Sequence, residues 1–275
     1  NVNQIAEKVS VIKSEDLFLS SPASGAELLE LSPGIRVQKS QGGGGSPIIR
    51  GFEANRVLIV VDGVRMNNAI YRSGHLQNSI TIDPSIIERA EIIFGSSSVG
   101  YGSDALGGVI HYYTKSPILK GSEKIKSSFT TNYTSANQGV SNNFVTNYSG
   151  ENWGSITSLS ISKFGDIKMG EKREHGFKSW GLTPLYSENS RYSYYSQAST
   201  NSDENIQKNT NYSQVDLFQK FLLKLGDTNL LNVNIQFSES SDIDRYDQLS
   251  LTKDGGLKFS EWYYGPQKRF LISPS

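Results

Sequence analysis

Residues 215–237 read VDLFQKFLLKLGDTNLLNVNIQF. Val215, Leu217, Phe221, Leu223 and Leu225 share one face of an extended chain, and Asp216, Lys220 and Lys224 share the other, because successive strand side chains point to opposite sides. Gly226-Asp227-Thr228-Asn229 is a tight turn. Leu231, Val233, Ile235 and Phe237 then alternate with Asn232, Asn234 and Gln236. The spacing predicts two strands of about ten residues joined by a short turn, the length that crosses a bilayer at a tilt. Soluble strands average about five or six residues, so the pair favours a transmembrane barrel. A soluble β-sandwich, whose strands also alternate, is the competing reading.

The same grammar runs back to Ser122. Ile125, Phe129 and Tyr133 fall opposite Lys126, Ser128, Thr130 and Asn132; Phe144, Thr146 and Tyr148 repeat the pattern, as do Leu159 and Ile161. Between Phe164 and Asn209 lies a long polar stretch rich in Ser, Asn and Tyr. Short turns on one side and long loops on the other are the asymmetry of an outer-membrane barrel. Trp153, Trp262 and Tyr263 are candidates for the aromatic girdle at the membrane surface, with core packing as the alternative.

Residues 1 to about 116 read differently, as a compact mixed domain. Residues 26–31 (AELLEL) predict a short helix stopped by Pro33-Gly34. Strands are expected at 35–37, 47–51, 57–61, 90–94 and 109–114, and a turn at Asp62-Gly63. Pro84 to Glu88 reads as a short helical turn with Asp83 as its cap.

Composition closes several doors. Lys plus Arg and Asp plus Glu are each 27, so the formal net charge is zero and nothing suggests a nucleic-acid face. There is no cysteine, hence no disulfide framework and no thiol nucleophile. No apolar run approaches the roughly 20 residues of a membrane-spanning helix, and Asn1 to Ser14 lacks the pattern of a signal peptide. The chain contains no G-x-S-x-G or H-E-x-x-H motif and no carboxylate–histidine cluster, so an enzyme is not expected.

The order of short motifs in the first half resembles the plug of TonB-dependent receptors. They read SPGIRVQKSQGGGGSPIIRGFEANRVLIVVDGVRMNN (32–68) and IDPSIIERAEIIFGSSSVGYGSDALGGVIHYYTK (82–115). Each is weak alone; in this order over residues 9 to 115 they are specific. NNAIYRSGHLQN, FGDIKMG and EWYYGPQKR further resemble the haemoglobin, transferrin, lactoferrin and haem receptor branch. The resemblance implies a mixed α+β plug domain over 1–116, followed over 117–275 by antiparallel strands and extracellular loops of a large transmembrane β-barrel. A barrel holding such a plug is one of about 22 strands, so the chain is expected to be incomplete. It also implies the outer membrane of a Gram-negative bacterium, a ligand such as haem, a haem protein or a ferric siderophore, and energy from the TonB-ExbB-ExbD complex. A surface lipoprotein is a further candidate partner. Haem would be cargo, not cofactor. No TonB box is recognisable upstream of Gln4. A receptor that binds or signals without transport is the rival reading.

Site residues follow from the same comparison. Gly43 and Gly44, in the four-glycine run, read as an apical loop needing permissive backbone angles near ligand, or as a mere flexible turn. A phosphate-binding loop is excluded, because Ser46-Pro47 and a strand follow. Arg50, Glu88 and Arg89 match residues thought to lock plug to wall through ion pairs; ordinary solvated charge is the alternative. Tyr71, Arg72 and His75 follow the DGVRMNN strand on the outward loop, and His75 or Tyr71 is the candidate haem iron ligand; a packing histidine is the alternative. His111 falls in the last plug strand and is a poor candidate. His175, Tyr186, Tyr192, Tyr194 and Tyr195 lie in the long loop, which either contacts a ligand or carrier protein through its aromatics or is merely solvated.

Overall fold

The computed structural model describes residues 9–39, 42–53, 56–66, 77–95, 100–102 and 105–275. The first part is built on a five-stranded sheet. Its strands are β1 (Val9–Lys13), β4 (Val57–Val61), β5 (Val64–Arg65), β6 (Ile87–Ile93) and β7 (Gly108–Thr114), in the order β1-β6-β7-β4-β5. β4 and β7 pair in parallel, the other neighbours antiparallel. All five residues of β4 are buried, as expected of a central strand covered on both faces. A separate hairpin joins β2 (Ile35–Gln38) to β3 (Ser46–Ile49).

Turn chemistry places these strands. Asp62 (φ 46°) and Gly63 (φ 83°) form a two-residue hairpin connection between paired Val61 and Val64, the turn for which Asp-Gly is favoured. Arg50 (φ 49°) and Gly51 (φ 88°) form a second one, closed by two 2.9 Å bonds between Ile49 and Phe52. Asp83 caps a 3-10 turn over Pro84–Ile86 by accepting from the Ser85 amide at 2.9 Å.

Three expectations change in detail. The helix at 26–31 is a 3-10 helix over Glu27–Leu31. The turn after Asp83 ends at Ile86, and Glu88 and Arg89 are strand residues of β6; β-branched Ile87 favours the strand. Arg50 lies in a left-handed turn instead of a strand. β1 and the helix α1 (Ser14–Ser20) that follows it were not anticipated.

The second part is a six-stranded antiparallel sheet. Its strands are β8 (Ile125–Thr134), β9 (Gly139–Ser149), β10 (Trp153–Phe164), β11 (Tyr212–Leu225), β12 (Asn229–Ser240) and β13 (Lys268–Pro274), in the order β13-β12-β11-β10-β9-β8. Five of the strands have 10 to 14 residues, near the span of a tilted transmembrane strand. The turns 150–152 and 226–228 lie at one end. The long connections 165–211 and 241–267 lie at the other, each holding two-residue ladders. The first part docks on one face of this wall: Val145, Ile156 and Phe218 join the buried core of β4, β6 and β7.

Candidate functional site

The wall has its polarity reversed relative to a soluble sheet. One transverse row, fixed by strand register, is Phe129, Phe144, Leu159, Leu217, Phe237 and Phe270. It faces away from the docked domain, with Phe129 68% and Phe270 66% exposed. Ile125, Tyr133, Ile161, Val215 and Ile272 extend this exposed apolar surface. Polar side chains on that face pair laterally: Ser127 donates to Thr146 and Thr131 to Asn142, both at 2.9 Å, and Thr157 donates to Gln219. Ser158, Ser160, Gln214, Asp216, Lys220, Asn234, Gln236 and Ser238 are buried on the opposite face. A soluble sandwich turns its apolar side inward; a barrel with a polar interior turns it toward lipid.

The seam between globule and wall is a network of hydrogen bonds around one buried ion pair. The Lys220 ammonium lies 3.1 Å from the Asp62 carboxylate. Asp62 also accepts from Asn234 Nδ2 (2.7 Å), the Thr114 amide (2.9 Å) and the Thr114 hydroxyl. A buried charge is tolerated when it is both paired and hydrogen-bonded. Farther along, Arg269 Nη2 donates to Thr81 O (2.8 Å) and its Nη1 to Gln236 Oε1 (2.8 Å), while Gln214 donates to Ile80 O (2.8 Å). Ser160 donates to Asp83, and Asn143 to the Ser85 hydroxyl at 2.9 Å. A cavity of about 310 Å³ remains along this seam, lined by Asp83, Lys115, Ser128, Asn143, Ser160 and Asp216 among others. Burial pushes the Lys115 ammonium below its ordinary pKa, against the opposing pull of Asp83 and Glu88.

The sequence-predicted residues are dispersed. Tyr71, Arg72 and His75 lie outside the described residues. Gly43 and Gly44 are buried, and Gly43 is pressed under Ile243 and Tyr212 at the roots of the long connections. Arg50 is exposed, its guanidinium 4.8 Å above the Phe94 ring. Arg89 pairs within its own strand with Glu91 at 2.7 Å and covers Tyr113, and Glu88 is exposed. His111 is buried, stacked on Tyr113 at 4.0 Å, and its Nε2 accepts from the Gly63 amide. Burial holds its imidazole below the ordinary pKa. His175 clusters with Phe177 and Trp180 in the long connection, and Tyr192, Tyr194 and Tyr195 are exposed there. Trp153 sits on the outward face, stacked on Tyr148; Trp262 and Tyr263 lie inside the second long connection.

Sequence reasoning missed Lys220, Asn234 and Arg269 as contacts to the globule, and read Asp62 only as a turn residue. The available signal was their position. Each lies on the polar face of an alternating strand, the face turned toward the globule, where buried polar groups need partners.

Comparison with known proteins agrees with this architecture. Residues 1–109 match the TonB-dependent Receptor Plug Domain family. The Hemin receptor of Yersinia pestis is 27% identical over 254 residues, covering 83% of this chain and 36% of the relative. The Vitamin B12 transporter BtuB of Vibrio vulnificus is 37% identical over 149 residues, 50% of this chain and 24% of the relative. This chain thus spans about a quarter to a third of those relatives. Among solved structures, the ferric enterobactin receptor of Pseudomonas aeruginosa superposes with a TM-score of 0.61 at 20% identity, over 91% of this chain and 36% of its own. These relatives are named as receptors and transporters, not as enzymes. A plug-family domain seated against the polar face of a wall whose apolar face looks outward leads to one conclusion: residues 1–109 are a plug domain of the TonB-dependent receptor type, and the strands that follow have the fold of the barrel wall in such receptors.

Proposed function

We propose that this chain serves the TonB-dependent import of haem, or of another iron-bearing ligand, across the outer membrane. The observation that carries a transport role is the polar, hydrogen-bonded seam between plug and wall. Its hydrogen bonds can exchange for water when the plug is remodelled, alongside apolar contacts at Val145, Ile156 and Phe218. In this reading the ligand enters beneath the connections 165–211 and 241–267. The TonB-ExbB-ExbD complex supplies the force from the periplasmic side, and a surface lipoprotein assists capture. The plug is assigned to 1–116 and the wall to 117–275.

Haem is favoured among ligands because the similarity to the Yersinia pestis Hemin receptor runs over 83% of the chain; the similarity to the Vibrio vulnificus transporter covers 50%. Tyr71, Arg72 and His75 remain the proposed ligand contacts, with His75 or Tyr71 on iron, together with the Gly43-Gly44 loop. Arg50, Glu88 and Arg89 are proposed to meet the wall away from the six strands. The test is a hemin titration of the full-length receptor followed by its Soret band, with His75→Ala and Tyr71→Ala. Weakened binding in either variant supports the assignment. Full binding in both removes these residues as ligands. A receptor that ignores hemin but takes up ferric enterobactin is a siderophore transporter, and one that binds without uptake is a receptor only.

A further inference from the structure

Gly42, Gly43 and Gly45 carry no left-handed φ, so backbone freedom does not explain them; space does. A Cβ on Gly42 would lie 1.8 Å from the carbonyl oxygen of Thr210. One on Gly43 would lie 2.9 Å from Ile243 Cδ1 and 3.0 Å from the Tyr212 ring. One on Gly45 would lie 2.5 Å from Ala26 Cβ, inside the plug. The glycine run is therefore a thin spacer, with the plug on one side and the outer loops on the other.

The residues above it are the roots of both loops. Thr210 ties the two ends of the first: its amide donates to Asp166 Oδ1 (3.0 Å), its hydroxyl accepts from the Ile167 amide (2.8 Å) and donates to Gln207 O (2.7 Å). Ile243 opens the second loop and packs with Tyr212, Phe164 and Ile80 of the plug in one buried cluster. The two loops are also bound to each other. Asn189 Nδ2 donates to Ser260 O (3.0 Å), the Ser187 hydroxyl donates to the same oxygen, Arg191 pairs with Asp242 (3.0 Å), and Asn209 Nδ2 donates to Asp244 (3.3 Å). Below the spacer, the Ser79 hydroxyl donates to Gly45 O, and Ser46 opens β3.

We infer that Gly42 and Gly43 form a mechanical contact through which the two outer loops, moving as one body, set the position of the β2–β3 hairpin of the plug. A close-packed contact of this kind transmits displacement because it has no slack to absorb it. This deepens the transport reading and rests on it for its purpose: a ligand gripped by the loops would be sensed by the plug without touching the glycines. An ordinary packing contact would hold the hairpin in place but would not respond to events at the loop tips.

The test perturbs the loops far from the spacer and reads the plug by hydrogen exchange in the full-length receptor, without ligand. Asn189→Ala with Arg191→Ala cuts the clasp between the loops at two of the four contacts just named. We expect exchange in residues 35–49 to rise at least threefold while β4, β6 and β7 are unchanged. With Ile243→Ala also present, which removes the side chain resting on Gly43, the response to the same clasp variant should shrink by at least half. An unchanged hairpin after the clasp is cut, or an equal response in both backgrounds, overturns the inference. A receptor that fails to bind hemin refutes the ligand assignment and leaves this result standing.

Discussion

Lys220 of the wall and Asp62 of the plug meet at 3.1 Å, with the lysine side chain 3% exposed and the aspartate 17%. Lys220 also lies 3.4 Å from the carbonyl oxygen of Thr114, at the end of the plug's last strand. Removing one partner of a buried pair leaves the other charge stranded, at a cost of about 3–5 kcal/mol. Lys220→Met is therefore expected to loosen the plug strongly, and Lys220→Met with Asp62→Asn to recover much of the loss. The midpoint of plug unfolding in urea, with the barrel intact, checks this; equal destabilisation by single and double variants would refute it.

Leu159 and Ser158 are neighbours in β10 facing opposite ways: Leu159 is exposed on the apolar face and Ser158 is buried toward the plug. If the apolar face meets lipid, Leu159→Arg should cost about 2–4 kcal/mol near the bilayer centre. Folding of the full-length receptor into liposomes, followed by its heat-modifiable gel mobility, measures the loss. A soluble sheet with that face in water would tolerate the arginine.

Asp83 holds two structures at once, the Ser85 amide in its own turn and the Ser160 hydroxyl of the wall. Asp83→Ala removes the cap, worth about 0.5–2 kcal/mol, and leaves the wall hydroxyl short of an acceptor. Plug melting temperature is expected to fall by several degrees. Asp83→Asn, which retains an acceptor for the cap, should fall less.

Asp244, in the second outer loop, has its carboxyl pushed up to about 6, first by burial and then by Asp242, Asp166 and Glu261, against the bond from Asn209. Its folded pKa lies above the ordinary aspartate value. The group therefore favours the folded loop fully only at acid pH, and that contribution is lost as pH rises through about 6. Protease cleavage within 241–267 should be slower at pH 5 than at pH 7.5 after correction for protease activity. Asp244→Asn should remove the difference.

The wall was legible because each strand faces two environments. In residues 215–237 every second side chain reports on lipid and the rest on the plug, so alternation survives in the sequence. The turns at Asp62-Gly63 and Asp83-Pro84 were legible for local reasons, left-handed backbone and capping. β1 was not: VSVIK is only five residues long and is stabilised by pairing with β6, some 80 residues away. The plug–wall contacts were hidden for the same reason. Asp62 and Lys220 meet only once strand register brings the two positions together, and no local pattern encodes that register. Arg50, and less strongly Arg89, looked suitable as locks, yet their short-range neighbours are Phe94 and Glu91.

The hairpin at Asp62-Gly63 would bend as readily around asparagine, since both residues accept the left-handed conformation. Its negative charge is thus addressed to Lys220 and Asn234 of the wall, and to Thr114 beside it, instead of to the bend it closes. Transplanting this globule into a foreign pore would therefore require the cation at position 220 to travel with it, or the bend to be neutralised, before the two pieces could fit.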